Sequence, residues 1–308
     1  MKHQIEAAYI GIESQNPARV ARYLEEVVGL MPGAPTPDGA RTFRADSKSQ
    51  RVFVHDGPRN DASCIGFEAV DADAFSATAE RLRRLGVELT PASAAEKAER
   101  RVADLLAMRS PWGTRVELAL RLEESATAFA SSAFEQGIVT HGQGFGHFVF
   151  KVGGDEAYAA SCRFAIEGLG LRLSDSLRMP MGDGEMRVSF LHCNPRHHSL
   201  ALACVPPPAA AQALHHINFE VAAVRDVGTA FERAVRSGTP VANTIGQHAN
   251  DRMISFYSVS PDGWQVEIGA TGKVIDDDWS DVREYDRISD WGHQPPQVLA
   301  DMQQAAQT

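Results

Sequence analysis

Short apolar runs of strand length alternate along this chain with segments whose apolar residues recur at helical spacing. CIGFEAV at 64–70 leads into DADAFSATAERLRRLGV, where Phe75, Ala79, Leu82 and Leu85 share one helical face. HINFEV at 216–221 leads into AAVRDVGTAFERAVRSG, where Val227, Phe231, Ala234 and Val235 do the same. Each helical segment stops at a glycine, Gly86 or Gly238, the residue that most readily ends a helix in the left-handed conformation. Two weaker copies follow the same order. HFVFKV at 147–152 leads through Tyr158, Cys162, Ile166 and Leu169 to Gly170, and AYIGIES at 8–14 through Val20, Leu24 and Val27 to Gly29. SPWGTRVEL at 110–118 and SPDGWQVEI at 260–268 share Ser-Pro-x-Gly-x-x-Val-Glu, a turn feeding a strand.

The chain thus reads as four units of roughly 50–60 residues, each a strand, a helix and several strands. This predicts an α+β fold of four βαβββ modules in two barrel-like pairs, each pair curving its strands around a cavity. The pairs are expected at 1–135 and 136–308, the second including a tail beyond 275. The small polar residues of RLEESATAFASSAFEQG at 121–137 predict a linker, and the Gln/Ala-rich end a frayed terminus.

Composition narrows the function. The 308 residues are 44% hydrophobic and 23% charged, with a net charge of −10, a soluble globular balance. That negative charge opposes phosphate backbones and anionic membranes, so neither nucleic acid nor a membrane is an expected partner. Cys64, Cys162, Cys193 and Cys204 form no CxxC pair, which argues against a disulfide framework or thiolate zinc and fits a reducing cytoplasm. The charged start MKHQIEAAYIGIES does not read as a secretion signal, and no apolar run has the length of a membrane span.

The candidate chemistry comes from what occupies matching places in the repeat. The first strands carry Tyr9, Cys64, His147 and His216; the last strands of units two and four carry Glu117 and Glu267. Two neutral imidazoles and a carboxylate make a facial triad suited to Fe(II) or Mn(II) with coordination positions left open. Only the second pair can assemble it. A single strand histidine is usually structural, but eight of the eleven histidines lie between 141 and 248. That clustering, at repeat-equivalent positions, favours a metal. His197, His198, His248, Asn250, Asp251 and Tyr257 gather in the same half; a histidine is a ready acid–base near neutral pH, although His248-Ala-Asn-Asp and Asn-Pro-Arg-His-His also suit plain polar turns.

HGQGFGHFVFKV, LHCNPRHHSLAL, LHHINFEV and the run His248, Tyr257, Pro261-x-Gly263, Glu267 resemble the type I extradiol ring-cleavage dioxygenases of the vicinal oxygen chelate superfamily, in particular the two-domain enzymes acting on bicyclic catechols. The resemblance covers nearly the whole chain. It implies the glyoxalase-like fold, a non-catalytic N-terminal pair, and Fe(II), with Mn(II) as the alternative, held by His147, His216 and Glu267. His216 is preferred over His215, which is expected to face outward, and His198 over His197. It further implies His198, His248 and Tyr257 as catalytic residues, and Val149, Phe190, Asn250 and Asp251 beside the substrate, with Asp251 also supporting His248. The expected reaction is O2-dependent cleavage next to the diol of 2,3-dihydroxybiphenyl, 2,2′,3-trihydroxybiphenyl, 1,2-dihydroxynaphthalene or a similar catechol, in aromatic-compound degradation, by a homo-oligomer. Two alternatives stand beside it: a metal-dependent lyase or isomerase of the same superfamily, and a metal-free protein that binds a small aromatic compound.

Overall fold

The structure, a computed structural model, describes residues 3–206, 212–276 and 278–299. The Gln/Ala-rich end from 300 onward, expected to fray, lies outside the described residues. The fold is mixed α+β, with one eight-stranded and one ten-stranded sheet, each built from two units. Within every unit the first strand pairs in parallel with the last: Ile10 opposite Val52, Cys64 opposite Arg115, Phe148 opposite Leu200, and Asn218 opposite Glu267. The two first strands of each half then pair antiparallel, Tyr9 opposite Gly66 and His147 opposite Asn218. These registers make Tyr9 the counterpart of His147, Cys64 of His216 and Glu117 of Glu267.

Strand alternation sorts the residues between two environments. On His147–Gly153, Phe148, Phe150 and Val152 enter the main core, whereas His147, Val149 and Lys151 line the cavity of the second half. The main core is shared between the halves: Phe67 meets Phe148 edge-on, and Tyr23 meets Trp264 in the same way.

The local pattern departs from expectation in several places. The first strands of units one and two begin earlier, at Ile5 and Asp61, so Tyr9 and Cys64 lie within their strands. The helices Pro17–Arg22 and Asp155–Arg163 run on into π-helical turns, Tyr23–Val28 and Phe164–Leu169, before Gly29 and Gly170 at positive φ. The wider turn rotates the buried face, so Phe164, Ala165, Gly168 and Leu169 are buried and Ile166 is exposed. Val235, assigned to the apolar face of Val224–Arg236, is also exposed. Residues 121 and 122 of the expected linker complete the strand Arg115–Leu122, and Phe134 within it is buried in the core beneath Arg233.

Unit two adds a helix, Ala94–Arg100, that the strand pattern did not show. Its start is fixed by a capping box, Ser93 accepting from the Glu96 amide while Glu96 accepts from the Ser93 amide. The helix delivers Arg100 to the fully buried Glu117, 3.0 Å from Oε2. Arg115 Nε lies 2.7 Å from Oε1, and the Tyr9 hydroxyl donates to Oε2 at 2.7 Å. Burial, with Glu117 nearby, pushes the Cys64 thiol up to about 12. Guanidinium groups therefore neutralise this carboxylate, and among the described residues no cluster of metal-binding donors forms around it. Removing one member of a buried ion pair strands its partner. Arg100→Ala is therefore expected to lower stability by about 3 kcal/mol in urea unfolding; an unchanged midpoint would mean that Arg115 and Tyr9 alone suffice to hold Glu117.

Candidate active site

The ten-stranded sheet brings His147, His216 and Glu267 together from three adjacent strands. His147 Nε2 lies 3.2 Å from His216 Nε2 and 3.1 Å from Glu267 Oε2, and His216 Nε2 is 3.5 Å from the same oxygen. Donors about 2.1 Å from one ion, at right angles to each other, would stand about 3.0 Å apart. The triangle therefore fits one face of a metal's coordination sphere. Its chemistry fits too. Burial drives the His147 imidazole down to about 4, which keeps it neutral, while Glu267 stays ionised: burial opposes its charge, but contacts from His147, His216 and His248 hold it well below the usual carboxylate range. Three lone pairs thus converge in a buried place with little water to separate them.

The other carboxylate oxygen is occupied. Glu267 Oε1 accepts from Ser255 Oγ at 2.6 Å and Tyr257 Oη at 2.8 Å, and lies 3.0 Å from His248 Nε2. Asn218 Nδ2 donates to Oε2 at 3.1 Å. These contacts fix the carboxylate plane, as the outer partners of a metal ligand do. His248 Nε2 is also 2.7 Å from Tyr257 Oη. Burial disfavours its cation, but the bond to Glu267 and that carboxylate's charge prevail and raise it to about 9.

His198 packs on the triad at His147, its ring 3.9 Å from that of His147 and edge-on to Phe190. Burial and the neighbouring His147 and His197 keep it well below the ordinary histidine value. His197 is buried behind it, Nε2 2.8 Å from Asp175 Oδ2, and does not line the cavity. Asp251 acts on two histidines, its charge raising His248 as well as reaching His198. Its carboxylate approaches His198 Nδ1 at 3.8 Å, whereas His248 Nδ1 meets the carbonyl of Ile288. His215 departs from expectation: a bulge between Leu214 and His216 turns it toward the cavity, with Nδ1 2.7 Å from His216 Nδ1.

The cavity beside the triad measures about 540 Å³. Val149, Phe190, Asn250, Asp251 and Tyr257 line it, together with Leu177, Val188 and Ala203. Sequence patterning missed the tail residues at its mouth. Glu284–Tyr285 pairs with Arg172–Met181 and Ser289–Trp291 with Val241–His248, so the tail bridges both edges of the sheet. It places His293 against His248, ring centres 4.3 Å apart, and within 3.1 Å of Ser255 Oγ. Strands of two and three residues carry no period, so nothing in the pattern marked them.

This fold defines the vicinal oxygen chelate class, with three donors arranged so that they could hold one metal ion. Residues 144–268 match the Glyoxalase/Bleomycin resistance protein/Dioxygenase superfamily, and residues 8–57 match Dihydroxybiphenyl dioxygenase BphC D1. The chain is 37% identical over 288 residues to the biphenyl-2,3-diol 1,2-dioxygenase of Metapseudomonas furukawaii, covering 92% of each. It is 32% identical to the iron-dependent extradiol dioxygenase of Rhodococcus jostii, covering 93% of this chain and 95% of that one. The crystal structure of BphC, a halotolerant catechol dioxygenase, superimposes with a TM-score of 0.86 at 34% identity over 96% of both chains. The chain belongs to the extradiol dioxygenase family.

A discriminating test follows from the two adjacent histidines. His216→Ala is expected to weaken Fe(II) binding by more than about 100-fold, since outer-partner losses alone reach about 10–100-fold. His215→Ala should keep the metal. Iron content after anaerobic dialysis, with circular dichroism to confirm folding, measures both; retention by H216A with loss from H215A would exchange their assignments.

Proposed function

We propose that this chain is an Fe(II)-dependent extradiol dioxygenase that opens the ring of a bicyclic or bulky 3-substituted catechol, inserting both atoms of O2. The observation that carries the proposal is the convergence of His147, His216 and Glu267 in the wall of a largely apolar cavity, with His198 against His147, and His248 and Tyr257 against Glu267. Relatives named for biphenyl-2,3-diol, 2,2′,3-trihydroxybiphenyl and 1,2-dihydroxynaphthalene support the substrate class. Residues 136–308 carry the chemistry and residues 1–135 are non-catalytic, their equivalent positions being Tyr9, Cys64 and an arginine-bound Glu117.

Bound Fe(II) supplies Lewis acidity toward the diol and an electron path from diol to dioxygen. The protein supplies orientation and proton handling. A cation held by Glu267 would offset the carboxylate charge that raises His248, leaving this imidazole, in contact with Tyr257, free to accept the first diol proton. The Tyr257 hydroxyl orients the diol oxygen. His198 is neutral and therefore able to take the second diol proton, which it returns to the departing oxygen as the O–O bond breaks. Asp251, near its Nδ1, favours the transient charge. Val149 and Phe190 pack on the substituent beside the diol, directing the cut to the bond flanking it. The product is a yellow 2-hydroxy-6-oxo-dienoate.

Anaerobic loading with Fe(II), then 2,3-dihydroxybiphenyl and air, should give oxygen consumption and yellow colour together. Iron-loaded protein that gives neither with a panel of 3-substituted catechols would overturn the proposal. His198→Phe should retain iron and bind the diol but lose at least about 100-fold in kcat, the lower end of what a positioned acid–base contributes. Wild-type turnover in that variant would remove His198 from the mechanism.

A further inference from the structure

The cavity extends well beyond the diol end. On the strand His147–Gly153, Lys151 shares the inward face with His147 and Val149, about 13 Å along the strand from His147. That span is comparable with two linked aromatic rings. Sheet register places Lys151 opposite Ala203, Ala203 opposite Val188, and Val188 opposite Leu177. A lysine is thus planted in an otherwise apolar row, at the depth that the far end of a bicyclic substrate reaches.

Its charge is not spent on the protein. Among the described residues no carboxylate lies within ion-pair distance of the Lys151 ammonium. Asp61, which acts on it from further away, already accepts the amides of Ala62, Ala213 and Leu214. The other cation on the cavity wall, Arg287, is paired with Asp290 at 3.0 Å. Lys151 also lines a second cavity of about 400 Å³, together with Arg59, Trp112 and Thr114, and Val205 borders both spaces. The lysine therefore stands where the substrate cavity meets a polar cleft. A half-buried cation whose nearest counter-charge, Asp61 on the same cleft, stands beyond ion-pair distance is costly to desolvate, and a ligand anion would offset that cost.

We propose that Lys151 sets specificity by pairing with an anionic group on the far end of the substrate, so that the preferred substrates are catechols whose aryl 3-substituent carries a carboxylate. This rests on the ring-cleavage reading above and narrows its substrate class. The apolar row holds the second ring, and the ammonium meets the acid at the junction of the two cavities.

The test compares 2,3-dihydroxybiphenyl with 2′,3′-dihydroxybiphenyl-4-carboxylate on the Fe(II)-loaded enzyme. The acid should show kcat/KM at least about tenfold higher, through KM, as expected for a charge-assisted bond. The advantage should shrink as salt is added. In Lys151→Met the ratio should fall toward one, and in Lys151→Glu below one. Cleavage of both diols with no preference for the acid, or a ratio unmoved by either variant, would overturn the role of Lys151 and leave the ring-cleavage reading intact. Cleavage of neither would strike the ring-cleavage reading instead. Calorimetry with biphenyl-4-carboxylate then still tests the lysine, since the wild type should bind it at least about tenfold more tightly than K151M does; equal binding would overturn the inference independently of turnover.

Discussion

Everything at the site depends on the register of three central strands. His147 lies opposite Asn218, Asn218 opposite Glu267, and His216 opposite Val149. Because side chains alternate faces, a slip of one residue in any of these pairings would send a donor into the hydrophobic core and leave the remaining two unable to hold an ion. The same ladder exists in the first half, where Tyr9 lies opposite Gly66 and Gly66 opposite Glu117. The scaffold therefore makes the geometry twice. Chemistry differs only in what fills it: lone pairs in one half, a tyrosine and two guanidinium groups around the equivalent carboxylate in the other.

A buried carboxylate needs compensation wherever it stands. Glu117 receives it from within the protein. Glu267 divides its two oxygens, with Ser255, Tyr257 and His248 on Oε1 and the triad histidines and Asn218 around Oε2. The hydrogen-bonded side fixes the group's orientation while the other is presented to a cation. Tyr257 and His248 thereby couple this carboxylate to the wall of the cavity. One hydrogen-bonded network joins the carboxylate, Tyr257 and His248, so disturbing either residue acts on the other two groups.

The repeat was legible because each unit restates the same apolar pattern and closes on glycine, and Ser-Pro-x-Gly-x-x-Val-Glu marks the last strand twice. From it came the equivalence of Tyr9 with His147, Cys64 with His216, and Glu117 with Glu267, which the registers reproduce. What escaped were features with no period. A π-turn changes the buried face after Arg163 without altering composition, and so misplaces Ile166. The bulge before His216 turns His215 inward although strict alternation sends it out. The helix ending at Arg100 did have a signal, Ser93-x-x-Glu96, but it sits among residues that otherwise suit a loop. Asp251 beside His198 is a long-range approach that spacing alone cannot specify.

The two sheets also solve their open edges differently, and the difference reaches the site. The first sheet ends on the two-residue strands Met31–Pro32 and Thr90–Pro91, where proline removes a donor and discourages further pairing. The second sheet curls around a cavity and keeps longer edges, Arg172–Met181 and Val241–His248; the chain's own tail pairs with both. An edge capped by proline ends at the sheet, but an edge capped by a strap must carry the chain across the mouth of the cavity. That crossing brings the Ile288 carbonyl to His248 Nδ1 and the ring of His293 onto the ring of His248. Closing the sheet and orienting His248 are consequently one structural event. This explains why residues outside the four repeated units nevertheless belong to the site.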